Sequence, residues 1–361
     1  MSGVFGAVQS IAYAFVCVAA AGFVTRAHNG LIWAVLGLSG FAVSLSLVPI
    51  FRSAVLCGMA MGVAFMALGL VWPALHSWVG AEPDPKLRTK YMSWFNLSWS
   101  FGFTLSPLVT GPLYDYDYRL PFILFFVLCI GCIAVVRSLP HERDYFGVAT
   151  QEMMEAREEH DRASEAYLWC AWCATFVVNA LVGVTRCVYP KRVDDLVASG
   201  ELRLLFEQVP ADFLTRAPAT KFSWLAGALA LATAIMFIVL GRTSFWRHRF
   251  IVLAAFQAAS GAAFWILGTT HSLVVMAVCF IITGATMGIA FFSSAYYSLA
   301  NPEHKHRRAS MNEAFVGLGG FAGSLLFGYM VGWYGMALPF HITPILVGGA
   351  IVLQWMLLRL K

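Results

Sequence analysis

The sequence predicts an all-α membrane protein built as two bundles of helices, with about eleven transmembrane segments, and three observations support this. Hydrophobic residues make up 60% of the 361 and charged residues only 12%, too little polar surface to cover the core of a soluble domain. Apolar stretches of about 20 residues, long enough to cross a roughly 30 Å hydrocarbon layer, recur from end to end. The chain also repeats itself. Gly22 falls on Gly241, Gly69 on Gly288 and Met92 on Met311 at an offset of 219, and Leu120-Pro121-Phe122 falls on Leu338-Pro339-Phe340 at 218. Such spacing marks two parallel copies.

Cut at charged or Pro/Gly-rich breaks, the apolar runs are 4–24, 31–50, 53–79, 91–113, 119–138, 165–187, 222–241, 250–268, 272–300, 309–333 and 336–358. They lack the period-two alternation of barrel strands, so their backbone groups must be satisfied within helices. Residues 1–24 have no Lys or Arg before Arg26, so they read as a retained helix and not as a secretory leader. Under the repeat, the run 165–187 has no counterpart in the first half. The expected architecture is therefore six plus six helices minus the first, with an N-terminal bundle at 1–139, a linker at 140–164 and a C-terminal bundle at 165–361.

The linker is the charged island of the chain. Thr150 to Ala166 is rich in Glu, Ala, Met and Arg, with six acids against Arg157 and Arg162, and reads as a solvated helix acting as a tether. Sixteen of the 24 basic residues fall in one set of loops, among them Arg26, Lys86, Arg88, Lys90, Arg247, Arg307 and Arg308. The other set holds Arg52, Arg119 and six between Arg186 and Lys221, which are assigned to one long external loop with five acids. The positive-inside rule then puts the N-terminus outside and the C-terminus in the cytoplasm, and a bacterial inner membrane is the expected location. The net charge of +5 is a topology signal with no basic, aromatic-interleaved stripe, so no nucleic-acid partner is expected. Seven of the eight cysteines lie inside apolar runs and Cys187 ends one. Cys129/Cys132 and Cys170/Cys173 have CxxC spacing but no charged neighbour, and read as packing residues.

Several stretches resemble the major facilitator superfamily of secondary transporters. Gly69-Leu-Val-Trp72-Pro73-Ala-Leu-His76 is similar to family helix 4, and Asn96, Gly102, Ser106-Pro107 and Gly111-Pro112 to helix 5. Ala295-Tyr-Tyr-Ser298 and Arg308 to Gly323 are similar to helices 10 and 11. The family's loop between helices 2 and 3 usually carries an acid and basic residues. Here Gly22-Phe-Val-Thr25-Arg26-Ala-His28-Asn29-Gly30 keeps Arg26, while Thr25 replaces the acid. Gly102-x-x-x-Ser106-Pro107-x-x-Thr110-Gly111 resembles the small-residue run of the family's antiporters, which tilts the reading toward efflux.

Of the 19 acids, only Glu313 lies in a membrane run, about one turn inside its cytoplasmic end. Proton coupling would therefore need His76, His341 or a residue outside these runs. The resemblance implies a central cavity bordered by Trp72, Asn96, Trp99, Trp172, Thr175, Asn179, Phe292 and Tyr296, aromatic and weakly polar. Such a lining suits a small neutral or weakly charged solute. It also implies an inner gate in which Arg26 and Glu313 pair; Arg307 or Arg308 is the alternative partner for Glu313. The expected function is secondary transport by alternating access, in a monomer embedded in lipid, with a proton or Na+ as coupling ion. A transport-inactive scaffold or sensor is the alternative. No metal-ligand cluster or nucleophile and base set appears in the chain, so neither a cofactor nor an enzymatic activity is expected.

Overall fold

The computed structural model describes residues 2–24, 30–82, 84–139, 151–204, 218–301 and 304–359. Each of the eleven apolar runs lies in a helix. In the first half these are α1 (Ser2–Val24), α2 (Leu31–Leu47, extended by a single 3-10 turn), α3 (Ala54–Val79), α4 (Pro85–Tyr116) and α5 (Leu120–Ser138). In the second half come α6 (Gln151–Cys187), a short α7 (Tyr189–Ala198), α8 (Pro218–Arg242), α9 (Phe250–Thr269) and α10 (Leu273–Ser298). A last pair follows. α11 (Lys305–Ala322) runs through a π-helical turn (Gly323–Phe327) into α12 (Gly328–Tyr334), and α13 (Ala337–Arg359) closes the chain. Among the described residues, nine spans are long and apolar enough to cross a membrane. The chain is an integral membrane protein.

Three boundaries depart from the sequence reading. α4 begins six residues early because the Asp84 carboxylate accepts a hydrogen bond from the Lys86 amide at 2.8 Å and Pro85 occupies the first helical position, a strong start signal. The linker helix and the membrane run at 165–187 are one continuous helix of 37 residues, since no Gly or Pro interrupts the helix-forming residues between them. It ends at Cys187, so Arg186 belongs to the last turn of α6 and not to a loop. α7 was not foreseen. Tyr189, Val193 and Leu196 are buried along one face of it, at the i, i+4, i+7 spacing of an amphipathic helix.

The first-half helices pack α1 on α3, α3 on α2 and α2 on α5. In the second half α6 packs on α10, α11 and α13, while α9 and α10 join α8 and α13. Most of the apolar core sits in this second group, with Trp172, Tyr189, Phe264, Phe280, Phe292 and Phe340 among its buried members. The span containing α6 is 72% buried, against 28% for α2, 28% for α3 and 11% for α5, so α6 lies inside its group while these first-half helices present wide exposed faces. α4 leans on α8 and barely touches α3 and α5. The two groups meet along α1 with α11, α3 with α11 and α4 with α8.

Gly323 lets α11 lie against α6, because a Cβ there would overlap the backbone carbonyl of Ala180. Gly102 of the antiporter-like run has no such role, as a Cβ added to it would meet nothing within 4 Å. Between α9 and α13, Gln257 and Gln354 exchange two side-chain hydrogen bonds of 2.9 Å in full burial. Gln257→Leu alone is expected to cost about 1–3 kcal/mol, because it strands the Gln354 amide in an apolar setting. The double Leu variant should regain most of that loss, and comparing thermal unfolding of the two in detergent tests it.

Candidate functional site

The most polar buried cluster lies where the two groups of helices meet, and its formation starts at Pro73. Proline has no N–H, so the carbonyl of Gly69, four residues earlier, loses its helical partner. The Cys17 thiol of α1 donates to that carbonyl instead, at 3.4 Å. A Cβ on Gly69 would come within 3.0 Å of the Tyr13 carbonyl, so its absence lets α1 and α3 approach closely. On the other side of α1, Ala14 and Ser10 sit against Gly317 of α11, where an added Cβ would meet them at 2.9 Å. This double approach places Tyr13, His76 and Glu313 together.

Glu313 is 2% exposed. The Tyr13 hydroxyl donates to Oε2 at 2.5 Å, and the Asn312 amide donates to Oε1 at 3.0 Å. His76 Nδ1 stands 3.1 Å from Oε1, at ion-pair distance, but without hydrogen-bond geometry. The Ser294 hydroxyl of α10 in turn donates to the Asn312 carbonyl oxygen. A carboxylate taken out of water is tolerated only when donors or positive charge surround it, and four helices from both groups supply these here. α11 starts at Lys305, so Glu313 lies about 12 Å along it, two turns deep. Glu313, expected about one turn inside the end of its run, is therefore deeper, and it is buried.

Arg26 lies outside the described residues. The alternative neighbour Arg308 reaches Glu165 of α6 at 3.8 Å, and the partners observed for Glu313 are Tyr13, His76 and Asn312. Tyr13→Phe removes one charge-assisted hydrogen bond from a buried acceptor. It should therefore lower stability by about 1.5–3 kcal/mol, read as a drop in the thermal midpoint in detergent.

Around this cluster the sequence-predicted residues separate into three groups. Trp72, Asn96 and Trp99 belong with His76. The His76 ring lies 4.9 Å from Phe95 and 5.9 Å from Phe291, Trp72 is 6.0 Å from Phe95, and Trp99 is 5.3 Å from Phe291. Asn96 Oδ1 accepts from the Trp99 indole at 3.1 Å. Trp172, Thr175 and Asn179 instead serve helix packing. Trp172 donates to the Ser298 hydroxyl at 2.9 Å and stacks on Phe315, Thr175 donates to the Ala290 carbonyl at 3.1 Å, and Asn179 donates to the Thr175 carbonyl at 2.8 Å. Phe292 and Tyr296 form the third group, 5.4 and 5.0 Å from Trp246, with the Arg247 guanidinium 5.2 Å from the Tyr296 ring. Tyr13 was missed because a lone tyrosine in an apolar helix carries no pattern until α1 is placed against α11.

At the far end of the same junction a pocket of about 280 Å³ opens between Val4 of α1, Cys187 of α6, Ser324 and Tyr329. The end near Glu313 is closed. There Ser77 of α3 hydrogen-bonds His306, Ser93 of α4 donates to the Phe237 carbonyl at 2.8 Å, and Arg247 reaches the Thr89 hydroxyl at 3.4 Å.

Comparison with solved structures finds the same fold in many chains, among them three proteins of low identity. The human organic anion transporter MFSD10 (TETRAN) is 13% identical with a TM-score of 0.69, over 99% of this chain and 82% of its own. The proton:xylose symporter XylE, bound to 6-bromo-6-deoxy-D-glucose, is 12% identical with a TM-score of 0.69, over 98% and 85%. A point variant of the E. coli fucose:proton symporter FucP is 12% identical with a TM-score of 0.57, over 98% and 90%. None of the curated proteins compared with the chain matches it. The family model of the Major Facilitator Superfamily matches residues 1–297, so the chain belongs to that family.

Proposed function

We propose that this protein is a secondary transporter in which the helices of 1–139 and those of 165–361 rock against each other as two bundles joined by 140–164, with a proton as the coupling ion. The observation that carries this reading is the Glu313 cluster. Tyr13 and His76 come from one bundle and Glu313, Asn312 and Ser294 from the other, so opening that end must pull donors away from a buried carboxylate. An ionised Glu313 resists the separation, because hydrogen bonds to a charged acceptor are about twice as strong as neutral ones. Protonation weakens that hold and makes opening less costly. The groups aimed at the carboxylate are donors, which suits H+ better than Na+, a hard cation that needs oxygen ligands.

The closed end at Glu313 and the pocket at Val4 and Tyr329 support a form open on the side where α1 begins, which the positive-inside reading makes the outside. The three similar proteins are an organic anion transporter, a fucose:proton symporter and a proton:xylose symporter, so they do not set the solute. The expected solute is small and partly apolar, taken up against the Trp72, Asn96 and Trp99 wall, and the protein acts as a monomer in the bilayer. The lean to efflux rests on the small-residue run of α4, and with Gly102 facing open space the direction is assigned by vesicle transport.

The test is a thermal-shift screen of the purified protein, followed by reconstitution of each stabilising solute into vesicles loaded with a pH-sensitive dye. Solute gradients should move protons across the membrane. Binding without any solute-dependent proton movement would overturn proton coupling, and absence of both binding and transport would favour the scaffold reading.

A further inference from the structure

Arg186 is a cation at the junction of the two groups of helices that the cluster around Glu313 does not use. It stands eleven residues after Thr175 on α6, about three turns, and so shares a face with Thr175 and Asn179. Both of those residues are buried against α10 and α11, while Arg186 is exposed. Its guanidinium carbon lies 4.6 Å from the centroid of Phe103 on α4, so the side chain reaches from one bundle to the other. Among the described residues no carboxylate lies within ion-pair distance of it. Arg186 falls within a candidate membrane span, where a guanidinium is costly unless it serves a ligand or a pathway.

The aromatic wall continues inward from that point. Phe103 meets Trp99 edge-to-face at 6.5 Å, Trp99 meets Phe291 at 5.3 Å, and Phe291 lies 5.9 Å from His76, beside Glu313. The guanidinium stands over the Phe103 ring, and its N–H groups form the fork that matches a carboxylate or phosphate bidentately.

We propose that the solute is an organic anion whose carboxylate or phosphate docks on Arg186 while its apolar body lies along Phe103 and Trp99. This deepens the transporter reading, on which it rests, and replaces a neutral solute with a charged one. It also makes the coupling intelligible, since a solute anion would enter the same aromatic path that ends at the proton site.

The anionic head of a phospholipid offers the same chemistry, and the test separates the two sources. Binding of naphthoate and of its neutral isostere naphthamide is measured by thermal shift on the full chain in uncharged detergent. The measurement is repeated in nanodiscs of phosphatidylcholine with and without phosphatidylglycerol. Naphthoate should bind and naphthamide should bind about tenfold or more weakly. Arg186→Gln should lose naphthoate by about tenfold or more, with Arg186→Lys intermediate because it keeps charge but not the fork. Phe103→Leu should weaken naphthoate with Arg186 intact. It and Arg186→Lys carry the test if the Gln variant fails to fold.

No naphthoate binding, equal binding of the amide, or unchanged binding in Arg186→Gln would overturn the proposal. So would an Arg186-dependent shift seen only with phosphatidylglycerol, which assigns the site to lipid. Because this readout involves no transport, naphthoate that binds through Arg186 but is not carried would overturn the transporter reading and leave the site standing.

Discussion

Glu313→Gln should reduce solute-driven proton movement to the level of protein-free vesicles while leaving solute binding within about threefold of the wild type. The amide keeps the size of the carboxyl and can still accept from Tyr13, so the variant is expected to fold. What it removes is the charge that changes during the cycle. Parting the bundles breaks charge-assisted hydrogen bonds to an ionised Glu313, and protonation lowers that cost. The variant behaves as a permanently protonated site, so exchange of solute down its own gradient should continue without protons. A variant that still moves protons at the wild-type rate would remove Glu313 from the coupling path.

Gly323→Val should destabilise the protein more than any change at the cluster, with an expected cost at or beyond the about 1–3 kcal/mol typical of overpacking. The reason is geometric. The atom that the new side chain would strike is the backbone carbonyl of Ala180 in α6, which cannot turn aside as a flexible side chain would. The same holds at Gly319, against the Phe176 carbonyl. Separating α11 from α6 would also spread the π-helical turn and displace Ser324 from Cys187, whose thiol it meets at 3.4 Å. Loss of monodisperse protein in detergent is the expected readout, with Gly332→Val, which has nothing within 4 Å, as the control.

How much of this could be read in the sequence depended on which interaction set each feature. Membrane-crossing runs were legible because hydrocarbon thickness fixes their length, and all eleven correspond to helices. Ends set by local chemistry were less so. The basic residues from Lys305 to Arg308 hid the first turn of α11, which made Glu313 look shallow and exposed. The side-chain cap at Asp84 likewise extended α4 beyond its apolar part. His76 stood out as an intramembrane histidine, and the Trp72, Asn96 and Trp99 wall came from helices that do border the junction. Thr175 and Asn179 have the same polar character and donate to backbone carbonyls of α10 and α6, contacts that spacing in the sequence does not reveal. Arg186 was counted with loop charges because the apolar run stops beside it, and only the contact with Phe103 brings it to the junction of the two groups.

The most direct test of the central claim, that the protonation state of Glu313 controls opening at its end of the bundles, is a distance across that end as a function of pH. Spin labels at the exposed positions Lys90 of α4 and Ser244 after α8, in a chain freed of native cysteines, report the separation of the two bundles by pulsed electron resonance. In the wild type the long distance should gain population as pH falls, because protonation weakens the cluster. In Glu313→Gln the long distance should dominate at every pH. A variant that follows the same pH-dependent distribution as the wild type would contradict the account.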